Sequence, residues 1–151
     1  MTDEQQNNTG KTDRLNHTAK LNPRAAMPMY DRDISNDEMP WRIGLHLVDA
    51  EHTLEIDFGE AVTLGRKGLD TFDYPHYDLT EFGAQSSGVS RVHARLSVMR
   101  HGVAIHDLSS TNGTLLNGYR LEPFTDVGLQ HGDVIELGRL KISVAFLDTQ
   151  P

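Results

Sequence analysis

The 151-residue sequence predicts an all-β domain, a sandwich preceded by a polar tail, and three observations carry that expectation. Apolar and polar residues alternate with a period of two almost everywhere after residue 40. Turn dipeptides separate the alternating runs. No segment shows the 3.6-residue apolar period of an amphipathic helix. Many short alternating runs at close spacing, joined by turn chemistry, are the pattern of a two-sheet β-sandwich.

The elements follow in order. Residues 1–40 are rich in Asn, Asp, Thr and Pro, with Tyr30 as their one aromatic. Such a segment cannot bury enough surface to offset its ordering entropy, so 1–40 reads as a disordered tail and 41–151 as the domain. Alternation starts in Trp41-Arg42-Ile43-Gly44-Leu45-His46-Leu47-Val48. It continues in Leu54-Glu55-Ile56-Asp57-Phe58, Val62-Thr63-Leu64 and Val92-His93-Ala94-Arg95-Leu96-Ser97-Val98. Val103-Ala104-Ile105-His106, Thr114-Leu115-Leu116, Val134-Ile135-Glu136-Leu137 and the run from Leu140 to Phe146 complete the set. Asn112-Gly113, Asn117-Gly118 and Gly132-Asp133 supply turns between them. Asn117-Gly118, between Leu116 and Tyr119, is the strongest hairpin signal, because Asn and Gly tolerate the positive φ of a type I′ turn.

Composition narrows the function. The chain holds 14 Lys+Arg against 22 Asp+Glu, a net charge of −8. That balance disfavours sequence-independent nucleic-acid binding, which needs a cationic surplus to displace counterions, and it disfavours a polybasic membrane anchor. There is no cysteine, which removes disulfides, Cys-based zinc sites and thiol nucleophiles. The start lacks a signal-peptide pattern and no apolar run reaches membrane-spanning length, so the expectation is a soluble, cytoplasmic protein. The eight histidines form no His-Glu-x-x-His motif. Ser90 and His93 lie outside any Gly-x-Ser-x-Gly elbow and lack an orienting acid. Neither a Walker loop nor a dinucleotide fingerprint occurs, so no enzyme, no cofactor and no metal site is expected.

Three clusters are not explained by strand-making: Leu64-Gly65-Arg66; Gly88 to Ala94; and Asp107 to Gly118. Each puts hydrogen-bonding residues at a strand end or turn, where a sandwich exposes its loops. Together they offer a guanidinium, hydroxyls, an amide and glycine-loosened backbone. Those groups suit a tetrahedral dianion and the peptide beside it.

Gly65-Arg66, Ser90-Arg91-Val92-His93, Ser110-Thr111-Asn112-Gly113, Leu116-Asn117-Gly118 and Gly132-Asp133-Val134-Ile135-Glu136-Leu137-Gly138 occur in the order and spacing of a forkhead-associated (FHA) domain. The resemblance runs from about residue 43 to 147. It implies a sandwich of about eleven strands that binds phosphothreonine peptides through loops at one end. It casts Arg66 as the phosphate grip, Ser90 as a hydroxyl donor and Arg91 as a nearby contact. By the same resemblance Thr111 is a second loop hydroxyl and Asn112 the amide that fixes the peptide main chain. His93 resembles a buried histidine that ties the binding loops together, while Gly65, Gly113 and Gly118 resemble backbone-geometry positions. Plainer readings stand beside these. Thr111 also reads as a turn hydroxyl, Asn112 as a turn former whatever it binds, Asn117 as mainly a turn residue, and Asp107 and Asp133 as turn-forming.

Two departures bear on specificity. The 23 residues between Arg66 and Ser90 form a long insert. Its aromatics (Phe72, Tyr74, Tyr77 and Phe82) are expected to pack over the sandwich edge, with Asp78-Leu79 in a short strand. The resemblance implies that these loops read the third residue after the phosphothreonine; Gly88 and Val89 carry no charge for that task, which suggests an apolar preference there. The expected role is a signalling adaptor working with a phosphothreonine-containing protein and a Ser/Thr protein kinase. The alternative is a phosphate-independent assembly module. Thr2, Thr9, Thr12 and Thr18 further make the tail a candidate self-ligand once phosphorylated.

Overall fold

The computed structural model describes residues 40–57, 61–69, 75–99 and 102–149. The expected tail falls on residues outside this set, apart from Pro40. Eleven strands are present: β1 (Pro40–Leu47), β2 (His52–Asp57), β3 (Val62–Gly65), β4 (Tyr77–Asp78), β5 (Ala94–Met99), β6 (Gly102–Asp107), β7 (Thr114–Leu116), β8 (Tyr119–Arg120), β9 (Val127–Gly128), β10 (Val134–Leu137) and β11 (Leu140–Thr149). One 3-10 turn, Thr80–Phe82, lies in the insert.

The strands form two sheets, ordered β2-β1-β11-β10-β7-β8 and β4-β3-β5-β6-β9. All pairings are antiparallel except β3 with β4, which is parallel. The alternation explains the layering. Ile43, Leu45, Leu47, Ile56, Leu116, Ile135, Leu137, Ile142 and Val144 of the first sheet are buried. They join Leu64, Ala94, Leu96, Val103, Ile105 and Val127 of the second sheet in one core. Burying each large aliphatic side chain contributes about 1.5–3 kcal/mol, which is why the period-two face dictates which side of each strand turns inward.

The turns divide by end. At one end lie the tight β7–β8 hairpin at Asn117-Gly118, with φ of 51° and 84°, and the Gly132-Asp133 turn before β10. At the other end β3, β4 and β6 finish, β5 and β7 begin, and the β10–β11 turn at Gly138-Arg139 closes. There the loops are long. In the insert, Tyr77 and Phe82 pack against the core and Phe82 stacks on His52, ring centroids 4.8 Å apart. Phe72 and Tyr74 lie outside the described residues.

Candidate functional site

The long-loop end is built from β3 outward. Gly65 ends β3 where the chain runs hard against the Ser90-Arg91 backbone. A Cβ there would sit 1.9 Å from the Arg91 carbonyl oxygen, so no other residue fits. The close approach lets the Arg66 N–H donate to Ser90 O (3.2 Å). The Arg66 side chain follows the same segment, its Nε donating to Val89 O at 2.7 Å. One edge of the guanidinium is thus tethered, and the fork formed by its two terminal nitrogens meets no partner among the described residues.

Ser90 is the next link. Its Oγ accepts the Thr111 N–H at 3.1 Å, leaving the hydroxyl proton uncommitted to any described residue. Its own N–H donates to His93 Nδ1 at 3.0 Å. Across the ring, His93 Nε2 lies 2.9 Å from Gly113 O. Since Nδ1 accepts, Nε2 must carry the hydrogen and donate, which sets the neutral tautomer. His93 is fully buried. Burial holds its pKa below the ordinary value, against the opposing pull of the Gly113 carbonyl and the Asp107 charge. A neutral imidazole therefore clamps the β4–β5 loop to the β6–β7 loop.

The β6–β7 loop is organised from below by Asp107, which is 2% exposed. Its carboxylate accepts the Ser110 N–H (3.2 Å), the Ser110 hydroxyl (2.6 Å) and the Thr114 hydroxyl (2.6 Å). Ser110 Oγ in turn accepts the Gly113 N–H at 3.0 Å. Gly113 takes φ of +84°, and the Arg120 guanidinium packs where a side chain would start, its Cζ 2.6 Å from a Cβ built there. At the tip, Thr111 and Asn112 are exposed. Asn112 Nδ2 donates to Gly88 O at 2.9 Å, a second tie between the two loops.

On the far side of Arg66, Asp78 holds the β3–β4 loop. It accepts N–H groups from Lys67 and Thr80, each at 3.0 Å, and the Thr80 hydroxyl. Burial resists ionisation there, but these donors and the Lys67 charge outweigh it and hold the carboxyl below its usual pKa. The Arg91 side chain lies along Gly68 in the same loop, with Cδ 2.6 Å from the place of a Cβ.

The structure thus brings Gly65, Arg66, Ser90, Arg91, His93, Thr111, Asn112 and Gly113 to one rim. Asn117 and Gly118, expected to support the binding loops, sit at the other end of β7. The Asn117 side chain bonds Asp133 Oδ1 (3.0 Å) and the Val134 N–H (2.9 Å), so it braces a turn and not the rim. An apolar preference based on Val89 lacks a surface to act through, because Val89 is 2% exposed and belongs to the core. Asp107 does more than form a turn, and Arg120 and Arg139 join the rim unannounced. The Asp107-x-x-Ser110 spacing was the available signal, since a short side chain three residues ahead of a serine captures its N–H. Arg120 and Arg139 reach the rim only through strand pairing, opposite Leu115 and within the β10–β11 turn.

Against known proteins, the FHA domain family model matches residues 62–138, a span that holds every rim residue named above except Arg139. The chain belongs to the FHA domain family. An FHA domain-containing protein of Arabidopsis thaliana is 45% identical over 58 residues, which are 38% of this chain but 15% of that longer relative. Among solved structures, the FHA domain of an Arabidopsis thaliana hypothetical protein is 30% identical with a TM-score of 0.61, the match covering 80% of this chain and 98% of that one. An FHA domain studied for phosphothreonine-dependent interactions is also 30% identical, at a TM-score of 0.54 over 71% of this chain and 98% of its own. The MEK1 FHA domain, solved with a HOP1 phosphothreonine peptide, is 27% identical at a TM-score of 0.54, over 73% of this chain and 99% of its own. The family is one of phosphothreonine-binding modules. Among the described residues of this FHA domain, no three metal-ligating side chains gather and no helix is long and apolar enough to cross a membrane.

Proposed function

We propose that this FHA domain binds phosphothreonine peptides at the Arg66–Ser90–Thr111 rim and serves as a cytoplasmic, non-enzymatic signalling adaptor downstream of a Ser/Thr protein kinase. One observation supports this most. The Arg66 fork and the Ser90 hydroxyl proton are both left without described partners, while the groups around them are tied by Val89 O, the Thr111 N–H and His93. A phosphothreonine brings about −1.5 to −2 charges and three acceptor oxygens. A guanidinium fork meets two of those oxygens in parallel and the Ser90 hydroxyl can meet the third. Each charge-assisted bond contributes roughly 1.5–3 kcal/mol, so three or four suffice for micromolar binding near −8 kcal/mol. Asn112 Oδ1 remains for a ligand main-chain N–H, and Arg91 flanks the cradle.

The test is calorimetry with a degenerate phosphothreonine peptide pool and its unmodified counterpart. Micromolar binding of the phosphorylated pool alone is expected, with a loss of at least about 100-fold in Arg66→Ala. Equal binding of both pools, or an indifferent Arg66→Ala, would establish the phosphate-independent module instead.

The same site extends to regulation by the tail. Thr18 stands 23 residues from Trp41, a length whose reach would be roughly 25–30 Å for any flexible chain, against a radius of gyration of about 13 Å for a domain of this size. A tethered phosphothreonine would act at about millimolar local concentration and occupy a micromolar site. The kinase-treated 1–151 chain should then bind the peptide pool more weakly than a 41–151 fragment treated alike. Equal affinities would remove autoinhibition and leave peptide binding intact.

A further inference from the structure

The face of the second sheet that turns away from the core gathers two features the rim does not use. Leu64, Ala94, Leu96 and Ile105 belong to the core, so alternation turns Thr63, Arg95 and His106 outward, side by side on β3, β5 and β6. Arg95 is the first feature. Its Nε is buried without a hydrogen-bond partner, and no described residue accepts from its other nitrogens. A buried N–H left without an acceptor is rare enough in folded proteins to call for an explanation. Thr63 offers it no acceptor, because the Thr63 hydroxyl is engaged by His76, at 2.9 Å from Nδ1 and 3.1 Å from the backbone nitrogen.

Phe124, in the β8–β9 loop, is the second feature. It is 63% exposed with φ of +60°, the one aromatic among the described residues in the left-handed region. A bulky side chain there is strained, and such strain persists only where the surroundings hold it. Here the Phe124 N–H donates to Asp107 O (2.9 Å), and the ring meets His106 edge-on with centroids 5.8 Å apart. A strained backbone thus keeps a large ring in solvent, beside the neighbour of Arg95. Aromatic rings and arginines of this kind are the side chains that anchor protein interfaces.

The row of charges indicates what fits it. His106 Nδ1 bonds Asp126 Oδ1 at 2.9 Å, and the second Asp126 oxygen has no described partner. Across the sheet therefore run a cation, an imidazole and a carboxylate. Neighbouring strands lie about 4.8 Å apart, so the two charges flank His106 at similar distances. Such a row is its own complement under two-fold symmetry. A two-fold axis running along the strands in front of His106 sets Arg95 of each copy against Asp126 of the other. The same rotation carries each Phe124 toward the Arg95 side of the facing copy, where ring and guanidinium attract.

We infer that this sheet face pairs two copies of the chain, Arg95 of one with Asp126 of the other. Because the axis follows the strands, both rims open at the same end of the pair. The pairing stands apart from what the rim binds. Under the phosphothreonine reading it sets two cradles side by side, which hold a doubly phosphorylated partner by avidity. A net charge of −8 per chain opposes association, so the dimer is weak and reversible.

The test is sedimentation velocity of the 1–151 chain over a concentration series, without peptide or kinase. A reversible dimer with Kd on the order of 100 µM is expected, as for a small transient interface. Arg95→Glu and Asp126→Lys should each weaken association at least about tenfold, because each sets like charges face to face. Mixed one to one, the two variants should regain wild-type association as a heterodimer, since both contacts then pair opposite charges. That recovery also shows both variants to be folded. Should either fail to fold, Phe124→Gly decides. It removes the ring and relieves the positive φ, so it should raise the denaturant midpoint while weakening the dimer about fivefold or more. A chain monomeric at every concentration would overturn the inference and leave the face to a different partner. A dimer indifferent to Arg95→Glu or Phe124→Gly, or folded variants that stay apart when mixed, would overturn it equally. None of these outcomes touches phosphothreonine binding, which calorimetry decides separately.

Discussion

The two Asn-Gly pairs of this domain share a sequence and a glycine φ of 84°, and differ in what their amides and surroundings do. Asn117-Gly118 closes a two-residue hairpin, and its amide is satisfied at both atoms, by Asp133 and by the Val134 N–H. Asn112-Gly113 stands at the opposite end of β7, in a loop carried on a buried aspartate and clamped by a buried histidine. Its amide makes one bond, to Gly88 O, and leaves its oxygen unpartnered among the described residues. The contrast holds for the two ends at large. One end is made of turns that satisfy themselves, and the other of loops that satisfy one another and leave polar groups over. A self-satisfied turn stabilises the fold, whereas an unfinished loop can bind, because a free donor or acceptor in a fixed frame needs no reorganisation to meet a ligand.

That comparison can be broken experimentally, starting with the largest effect. His93→Ala removes the clamp, opens a buried cavity and strands the Ser90 N–H. A stability loss of about 3 kcal/mol in urea unfolding is expected, together with loss of phosphopeptide binding. Full affinity in a destabilised but folded variant would show that the loops hold their geometry without the imidazole. The Asn pair comes next. Asn117→Ala should cost about 1–2 kcal/mol of stability and leave affinity unchanged, whereas Asn112→Ala should weaken peptide binding about tenfold with a smaller change in stability. If both variants moved both quantities equally, the division of labour between the two ends would be wrong.

The smallest effect is in pH. His93 has a lowered pKa in the folded protein, so below about pH 6.5, its ordinary value, the unfolded chain takes up a proton that the folded one refuses. Stability of the peptide-free domain should therefore fall with acid from about pH 6.5 down to the folded-state pKa, by up to about 1.4 kcal/mol per pH unit. The slope should flatten in His93→Gln, as read by denaturant midpoints. An unchanged slope would place the proton uptake elsewhere. Asp78, lowered in the folded state, keeps its contribution above its ordinary pKa near 4 and loses it only as pH falls further.

Much of the fold is legible without coordinates because a half-buried strand must alternate. The positions that alternate in Ile43-Gly44-Leu45-His46-Leu47 or Val134-Ile135-Glu136-Leu137 are those the sheets bury. The motifs also placed Arg66, Ser90, His93 and Thr111 together, through their resemblance to a known arrangement. β9 was missed, since Val127-Gly128 is two residues long and shows no period. The 3-10 turn at Thr80–Phe82 escaped for the same reason.

What the sequence determined alone was therefore local: which residues alternate, where the chain turns, and which polar groups have no place inside a strand. Neighbours across sheets were decided by tertiary structure. Asp107 became the carrier of a loop, Arg139 a member of the rim, and Asn117 a brace at the wrong end for a ligand only once β7, β8, β10 and β11 were paired. The physical reason is the range of the forces. Alternation and turn propensity act within a few residues, whereas a hydrogen bond from Arg139 to Ser86 joins positions 53 apart, and only the packed core brings such positions within 3 Å.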